Sequence, residues 1–224
     1  MKAGRAIAVL NSLAVGSNPI GDEAMVQLLD RLKDVSLTSL DISKTKSVVS
    51  TASKLAELLS EETAFKAVLT SVNCLKNPLG DEGLATLVTA VEASSIGSIC
   101  GLTEGQTKVD WSKQKLDPFD CKIIAADFGF RRFSAALNSL ALGSNPIGDK
   151  AMIQLLEVLK DVSLTHLDIS ETKCGVSTAS KLAELLSGET KFKAVLASLN
   201  LSDNSLTGAT AKHGDAARYG WENV

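Results

Sequence analysis

The chain has 224 residues, of which 45% are hydrophobic and 22% are charged, and its formal net charge at pH 7 is −3. These totals are ordinary for a folded globular protein and argue against disorder. Splitting the chain after Ser112 gives 10 basic and 13 acidic residues in the first half, against 13 and 13 in the second. Because neither half is basic, the composition argues against nucleic-acid binding.

The four cysteines and two histidines do not form a metal-binding pattern. Cys74, Cys100, Cys121 and Cys174 are scattered, with no Cys-x-x-Cys spacing, so a zinc site is not expected. Scattered cysteines in a chain of this size are typical of free thiols in a reducing compartment. No apolar run reaches the roughly 18 residues that would span a bilayer. We therefore predict a cytoplasmic protein that holds no metal or cofactor.

The first segment of the chain has two interpretations. The sequence MKAGR followed by AIAVLNSLAVG is similar to the charged and apolar regions of a signal peptide. However, the stretch 10–16 recurs deep inside the chain as 137–143, with one difference between Val15 and Leu142. A segment repeated internally is better explained as a strand of the fold, so we predict a strand here rather than a cleaved signal.

This short recurrence belongs to a long internal duplication. Aligning 10–74 with 137–201, at an offset of 127 residues, gives 51 identities in 65 positions. The few differences include Ser39/His166, Lys44/Glu171 and Ser47/Cys174. A block of several structural units has therefore been duplicated.

Helical signals follow each predicted strand. Gly-Asp pairs at 21–22, 80–81 and 148–149 predict a turn followed by a helix-capping acid. After the first pair, Met25, Leu28, Leu29 and Leu32 have the spacing of an amphipathic helix. In the next unit the stripe is 55, 58 and 59, with the hydroxyl side chains at 50 and 51 as candidate caps. Pro118 fits the first turn of a later helix, where its missing N–H does no harm.

The units share the pattern L-x-x-L-x-L-x-x-N-x-L. Its first instance is Leu10, Leu13, Val15, Asn18 and Ile20, and others begin near residues 37, 69, 106, 137, 164 and 196. These seven in-phase matches resemble leucine-rich-repeat proteins, specifically the long-repeat subclass typified by ribonuclease inhibitor. The resemblance implies an α/β horseshoe solenoid of about seven repeats, with parallel strands on the concave face and helices on the convex face. We expect one array over 1–224, in which 207–224 is a partial repeat or weak cap.

The resemblance also implies where a partner would bind. In such a solenoid the residues between the apolar strand positions point into the concave face, and the Asn side chains hydrogen-bond backbone groups that the turns leave unpaired. A small-residue, polar trough with mixed charges would suit a protein partner. The candidate partner-binding residues are Ser39, Asp41, Lys44, Asn73, Lys76, Asp110, Lys113, His166, Asp168, Glu171, Asn200 and Asp203. The alternative is that these side chains are merely solvated, since the face lacks the Trp, Tyr and Arg anchors of binding hot spots.

No catalytic site is expected. His166, Asp168 and Ser170 share one strand face, but positions two apart on a strand lie about 6–7 Å apart. That spacing is too long for the direct hydrogen bonds of a catalytic triad. The sequence therefore favours a non-enzymatic scaffold that binds another protein through its concave face or through the ends of the array. End-to-end association or burial in a larger complex is one expectation. The alternatives are a structural subunit of a cytoskeletal, ciliary or other large assembly, and a regulator of a small GTPase or an innate-sensor-type repeat domain.

Overall fold

The computed structural model describes residues 10–207, and the backbone of residues 210–211 and 221–222. The chain divides into two compact units, Met1–Thr103 (unit 1) and Glu104–Val224 (unit 2). Each unit is described by itself. The prediction of one array over the whole chain therefore stays a prediction. The predicted partial repeat or cap at 207–224 lies mostly outside the described residues.

Unit 1 alternates short strands with helices. Its elements are β1 (Ser12–Ala14), α1 (Asp22–Leu32), β2 (Ser39–Asp41), α2 (Val49–Ser60), α3 (Ala64–Val68), β3 (Ser71–Asn73) and α4 (Gly80–Glu92). The three strands form a parallel sheet in the order β1-β2-β3, with Leu13, Leu40 and Val72 side by side.

Unit 2 repeats the arrangement. Its elements are β4 (Lys108–Asp110), α5 (Pro118–Gly129), a 3₁₀ helix (Phe133–Ala136), β5 (Ser139–Ala141), α6 (Asp149–Leu159), β6 (His166–Asp168), α7 (Val176–Ser187), α8 (Lys191–Val195) and β7 (Ser198–Asn200). The strands β4-β5-β6-β7 form a second parallel sheet in chain order. Two further strands, β8 (Thr210–Ala211) and β9 (Trp221–Glu222), pair antiparallel. The predicted fold class is confirmed, because helices connect parallel strands in sequential order in both units.

The core lies between each sheet and its helices. The middle residue of a strand points inward, as Leu40 and Val72 do at 1% and 0% exposure, and the helices add their apolar stripes. Of the predicted stripe on α1, Met25, Leu29 and Leu32 are buried, while Leu28 is only half-buried. No helix in the described part of the chain is both long and apolar enough to cross a membrane.

The structure contains a repeat position that the sequence analysis missed. Ser98 pairs parallel with Ser71 at the edge of β3, and Ile99 beside it is fully buried. The spacing of Ile96 and Ile99 matches the first two apolar positions of the repeat pattern, but Gly101 stands where the third should be. The stretch 96–101 therefore begins as a repeat, and no helix follows it before β4.

The predicted role of the Gly-Asp pairs is wrong in detail. Asp22 makes no cap bond to its own helix α1, whose N-cap is Gly21. Its carboxylate instead accepts hydrogen bonds from the Val48 amide at 2.9 Å, and from the Thr51 amide and hydroxyl at 3.0 and 2.6 Å. The predicted cap residues at 50 and 51 likewise do not cap α2, because Thr51 donates to Asp22. An acid at the start of one helix thus caps the helix of the next repeat.

The same device recurs in unit 2. Asp149 accepts bonds from the amides of Gly175 and Thr178 at 2.7 and 3.1 Å. Burial raises the pKa of Asp149, but the hydrogen bonds from Thr178 and Gly175 outweigh it and hold the pKa below its usual value. The pKa of Asp22 is lowered against burial in the same way. These inter-repeat caps tie consecutive helices together.

Two smaller predictions are confirmed. Pro118 begins α5, and Asp117 caps that helix by accepting from the amides of Phe119 and Asp120. All four cysteines are free and buried. Cys74 in particular occupies a core position at 1% exposure, as a small apolar residue would.

Candidate protein-binding surface

Ten of the twelve predicted binding residues lie in two rows at the carboxyl ends of the strands, whereas Ser39 and His166 are the first residues of β2 and β6. The first row is the last residue of each strand, and the second lies three residues further on, in the turn that leaves the sheet. We call these two rows, with the serines between them, the strand-end surface of each unit.

The Asp and Asn side chains of the first row are held by local hydrogen bonds. The Asp168 carboxylate accepts from the Ser170 amide at 2.9 Å and from its hydroxyl at 2.7 Å. Asn200 accepts from Ser202 in the same two ways. Asp41 accepts from the Ser43 amide at 2.8 Å. These turns end the strands, so the side chains have a structural role besides any role in binding.

Asp110 shows the electrostatic effect of this turn. Hydrogen bonds from the hydroxyl and amide of Ser112, with a smaller contribution from the Lys113 charge, hold the pKa of Asp110 below its usual value. Within the described part of the chain, however, no ion pair joins Asp110 to Lys113 or Asp41 to Lys44. The lysines and carboxylates are therefore neighbours on a mixed-charge surface and not salt-bridged pairs.

Every residue of the second row has a left-handed backbone. The row is Ser17, Lys44, Lys76, Lys113, Ser144, Glu171 and Asp203, with φ between 50° and 62°. This region is uncommon for residues other than glycine. It is adopted here because the turn aims the N–H at the next repeat: Lys44 donates to the Leu75 carbonyl at 3.0 Å and Glu171 to the Ser202 carbonyl at 2.9 Å. The inter-strand hydrogen bonds thus continue past the end of the sheet and space these side chains regularly.

Asparagine side chains of the repeat pattern hold the turns of the preceding repeat in place. The Asn77 carbonyl oxygen accepts from the amides of Thr45 and Ser47, and its NH₂ group donates to the Ile42 carbonyl at 2.7 Å. Asn145 and Asn204 bond to the preceding repeat in the same way. The predicted role of the pattern's Asn is therefore confirmed.

In unit 2 the two rows line a cavity of about 410 Å³. Its lining residues are Ser112, Lys113, Gly143, Ser144, Asp168, Ser170, Glu171, Asn200, Ser202 and Asp203. Five of these were predicted from the sequence. Serine, glycine and asparagine provide small or polar walls, three carboxylates and one ammonium group provide charge, and no aromatic ring is present. Such a cavity fits polar side chains of a partner.

Gly143 keeps this cavity open. A methyl group at its position would lie 2.8 Å from the Ser170 hydroxyl and 3.3 Å from the Asp168 carboxylate. Gly143 and the serines were not predicted from the sequence. The Asp/Asn-x-Ser spacing at 41–43, 110–112, 168–170 and 200–202 was the available signal.

Of the seven other predicted residues, five belong to unit 1, and Asp110 and His166 belong to unit 2 outside the cavity lining. Ser39 is half-buried on β2, where its hydroxyl donates to the Ser12 hydroxyl at 2.7 Å, and Asp41, Lys44, Asn73 and Lys76 follow in the two rows. The charge of the second row is therefore positive in unit 1, whereas Glu171 and Asp203 make it mainly negative in unit 2. Lys44 and Glu171 are equivalent positions of the duplication, both exposed and with φ of 54° and 50°.

His166 does not join a catalytic group. Its Nδ1 lies 2.8 Å from the hydroxyl of Thr165. The predicted separation of Asp168 from Ser170 is wrong, since the turn brings their side chains within 2.7 Å. The bond between Ser170 and Asp168 belongs to the strand-end turn. The Nδ1 atom of His166 is hydrogen-bonded to Thr165 instead. Among the residues that the structure describes, no cluster of histidine, cysteine or acidic side chains could hold a metal ion.

Comparisons with known proteins agree with the fold. A family model described as leucine rich repeat matches residues 8–29 and 134–156, the starts of the two duplicated blocks. The chain is 29% identical over 205 residues to NACHT, LRR and PYD domains-containing protein 5 of Bos taurus, and 28% identical over 201 residues to the protein of that name in Homo sapiens. Each alignment covers 88% of this chain, but only 17% and 15% of the respective relatives. The repeated strand–helix fold and these matches together identify the chain as a leucine-rich-repeat protein.

Proposed function

We propose that this repeat domain is a non-enzymatic scaffold that binds a protein partner through the strand-end surface of unit 2. The observation that carries the proposal is the cavity of about 410 Å³, where the second-row turns project Lys113, Glu171 and Asp203 beside the Asp168 carboxylate. Leucine-rich repeats and the similarity to the two relatives support a protein-interaction role.

The charge of the cavity specifies the partner's chemistry. Three carboxylates against one lysine favour an extended segment with basic side chains and backbone amides over an acidic one. The serine hydroxyls and the Asn200 amide can hydrogen-bond a peptide backbone. Because aromatic anchors are absent, we expect several modest polar contacts and not one dominant hot spot.

A second candidate concerns the protein class. The similarity over 88% of the chain favours the regulatory, innate-sensor-type alternative over a cytoskeletal or ciliary subunit, because both relatives are named for NACHT, LRR and PYD domains. Under this second candidate function, the chain is the leucine-rich-repeat region of an innate-sensor-type protein and binds its protein partner there. No residue of the described chain favours a small-GTPase regulator.

A capture experiment with a charge reversal at Glu171, in the second row, tests this proposal. The tagged chain and its Glu171→Lys variant are used to capture proteins from an extract of cells that express it, and the captured proteins are quantified by mass spectrometry. Glu171 is exposed on the cavity wall, so the fold should tolerate lysine there, as Lys44 shows at the equivalent position. We expect capture of the specific partner to fall about tenfold, which corresponds to about 1.4 kcal/mol.

Two controls sharpen the result. Glu189→Lys makes the same charge change at an exposed position after α7, outside the cavity, and should leave capture unchanged. Lys44→Glu reverses the charge of the equivalent position in unit 1 and should also leave it unchanged. Equal loss of the partner with Glu171→Lys and Glu189→Lys would refute the assignment to this cavity. A partner lost only with Lys44→Glu would move the binding surface to unit 1.

A further inference from the structure

The first repeat differs from the others in how its asparagine is satisfied. Asn77, Asn145 and Asn204 each bond to backbone groups of the preceding repeat. Asn18 is the same position in the first repeat, but it is exposed. It donates only to carbonyls of its own turn, Val15 at 2.9 Å and Gly16 at 3.3 Å. Among the described residues, nothing donates to its side-chain oxygen.

The apolar side chains around Asn18 are uncovered as well. Leu13 and Val15 on β1 are half-buried, whereas Leu140 and Leu142, at the equivalent positions of the duplication, are 1% and 0% exposed. On the side of β1 away from β2, Ser12 and Ala14 have no strand beside them in the described structure. We call this side of unit 1, formed by β1 and the turn to Asn18, the β1 edge.

The last described repeat of unit 2 has the complementary groups. In earlier repeats, the amides of Thr45 and Ser47, and likewise of Thr172 and Cys174, donate to the asparagine of the next repeat. The equivalent amides after β7 belong to Asn204 and Leu206, and no acceptor for either lies among the described residues.

The last described repeat also offers a carbonyl acceptor and partly exposed apolar side chains that match those of the β1 edge. The Ile42 and Ile169 carbonyls accept from the next asparagine, and the Leu201 carbonyl is in the equivalent position. Leu199 and Leu201 are half-buried, whereas their equivalents Val72 and Cys74 are 0% and 1% exposed. We call the side of unit 2 formed by β7 and the turn to Leu206 the β7 edge.

We infer that the β1 edge of one chain docks on the β7 edge of a second copy of the same chain. The contact continues the parallel ladder of each sheet, with Ser12 beside Ser198 and Leu13 beside Leu199. Asn18 would then accept from the amides of Asn204 and Leu206 and donate to the Leu201 carbonyl. This is the set of bonds that the other repeats make, and it closes the apolar surfaces of both edges.

The geometry selects this head-to-tail contact over other pairings of the same edges. Two β1 edges facing each other would place one Asn18 against another, without the backbone donors and acceptor that the asparagine needs. Two β7 edges would place the amides of Asn204 and Leu206 against each other, while each Asn204 side chain is already bonded to its own preceding repeat. Charge does not oppose the head-to-tail contact, because Ser12, Ala14, Ser17 and Asn18 are uncharged. A head-to-tail contact uses different surfaces on the two copies and can add further copies.

Light scattering tests the inference directly. The purified 224-residue chain should show a mass that rises with concentration above the 23.5 kDa of the monomer. Two variants block one edge each. Val15 donates to β2, so the N–H of Ala14 faces the open edge, and Ala14→Pro removes it without breaking a bond within unit 1. Ile169 donates to β7, so the equivalent Leu201 N–H faces outward and Leu201→Pro removes it.

Mixing the two variants identifies the contact. Each variant alone should remain at 23.5 kDa, and an equimolar mixture should form a complex of twice that mass and no larger, since each variant keeps only one of the two edges that the proposed contact uses. Circular dichroism melts establish that both variants are folded. As a matched control, Ala141→Pro places proline at the equivalent position inside unit 2, where β4 is adjacent, and it should lower the melting temperature.

The inference would be overturned by a wild-type chain that stays monomeric up to its solubility limit. Self-assembly of either folded variant alone would overturn it too, because that would require a contact between like edges or a different surface. A mixture of folded variants that stays at the monomer mass, while the wild type assembles, would also contradict the head-to-tail contact.

Discussion

The duplicated asparagines allow the inter-repeat hydrogen bonds to be measured against an internal control. Asn18 and Asn145 are equivalent positions, 127 residues apart, in nearly identical local sequences. Both donate to carbonyls of their own turn. Asn145 is also fully buried, donates to the Trp111 carbonyl at 2.9 Å and accepts from the Leu116 amide at 2.9 Å. The difference between the two is therefore burial and two bonds to the neighbouring repeat.

Substitution by alanine should separate these contributions. Asn18→Ala removes exposed bonds and should cost about 0.5–1.5 kcal/mol. Asn145→Ala also removes the partner of the buried Leu116 amide and of the part-buried Trp111 carbonyl, at about 1–3 kcal/mol for each group. We expect a total cost of about 3–5 kcal/mol for Asn145→Ala.

Urea unfolding measures the two costs. Circular dichroism reports on both units, and the fluorescence of Trp111, in the turn that Asn145 contacts, reports on unit 2. With a urea m-value of about 2 kcal/mol/M, the unfolding midpoint should fall by roughly 2 M for Asn145→Ala in unit 2 and by about 0.5 M for Asn18→Ala in unit 1. Equal shifts for the two variants, or a loss below 1 kcal/mol for Asn145→Ala, would refute the reasoning.

Three further predictions follow from individual contacts. Because hydrogen bonds hold the pKa of Asp149 below its ordinary value of 3.8, its contribution to stability is complete above that pH and is lost as the pH falls through the lowered pKa. Asp149→Asn should therefore lose less stability than the wild type between pH 5 and about pH 2 in urea titrations, and an identical pH dependence would contradict this. Gly83→Ala should destabilise unit 1 by about 1–3 kcal/mol, since the new methyl group would lie 3.2 Å from the Ala52 side chain. Gly129→Ala, with nothing within 4 Å, should cost less than about 0.5 kcal/mol in thermal melts, and comparable losses at the two glycines would refute the packing argument. Burial raises the pKa of the Cys121 thiol to about 12, and the other cysteines are buried as well, so a thiol reagent at pH 8 should label no cysteine of the native chain and all four in urea.

Sequence periodicity was sufficient for the repeats that keep all three apolar positions. Leu37, Leu40 and Ile42, for example, predicted the inward face of β2, and all three are buried at 1% exposure or less. Sequence periodicity did not predict the repeat at Ser98–Cys100, because Gly101 replaces the third apolar residue of the pattern. Backbone pairing with Ser71 still holds that segment in place, because ladder hydrogen bonds do not depend on the side chain.

The candidate site was predicted in part for a similar reason. The spacing placed Asp168 and Glu171 in two rows, and the structure brings both to one cavity. The turn bonds from Ser170 were not predicted, because residues two apart keep the spacing of about 6–7 Å only in an extended strand, and the strand ends at Asp168. Asp22 was misassigned because a cap on a neighbouring repeat depends on how the repeats stack, which local sequence does not encode.

Site-specific photo-crosslinking tests the central claim most directly. A photoreactive phenylalanine analogue replaces Lys113 in the cavity of unit 2, and in a matched chain it replaces the exposed Glu189 outside the cavity. After irradiation in cells that express the protein, mass spectrometry identifies what is attached. We predict a crosslink from position 113 to one partner protein, at a segment rich in lysine or arginine, with no such product from position 189. The same partner attached at position 189 and absent at position 113 would contradict it.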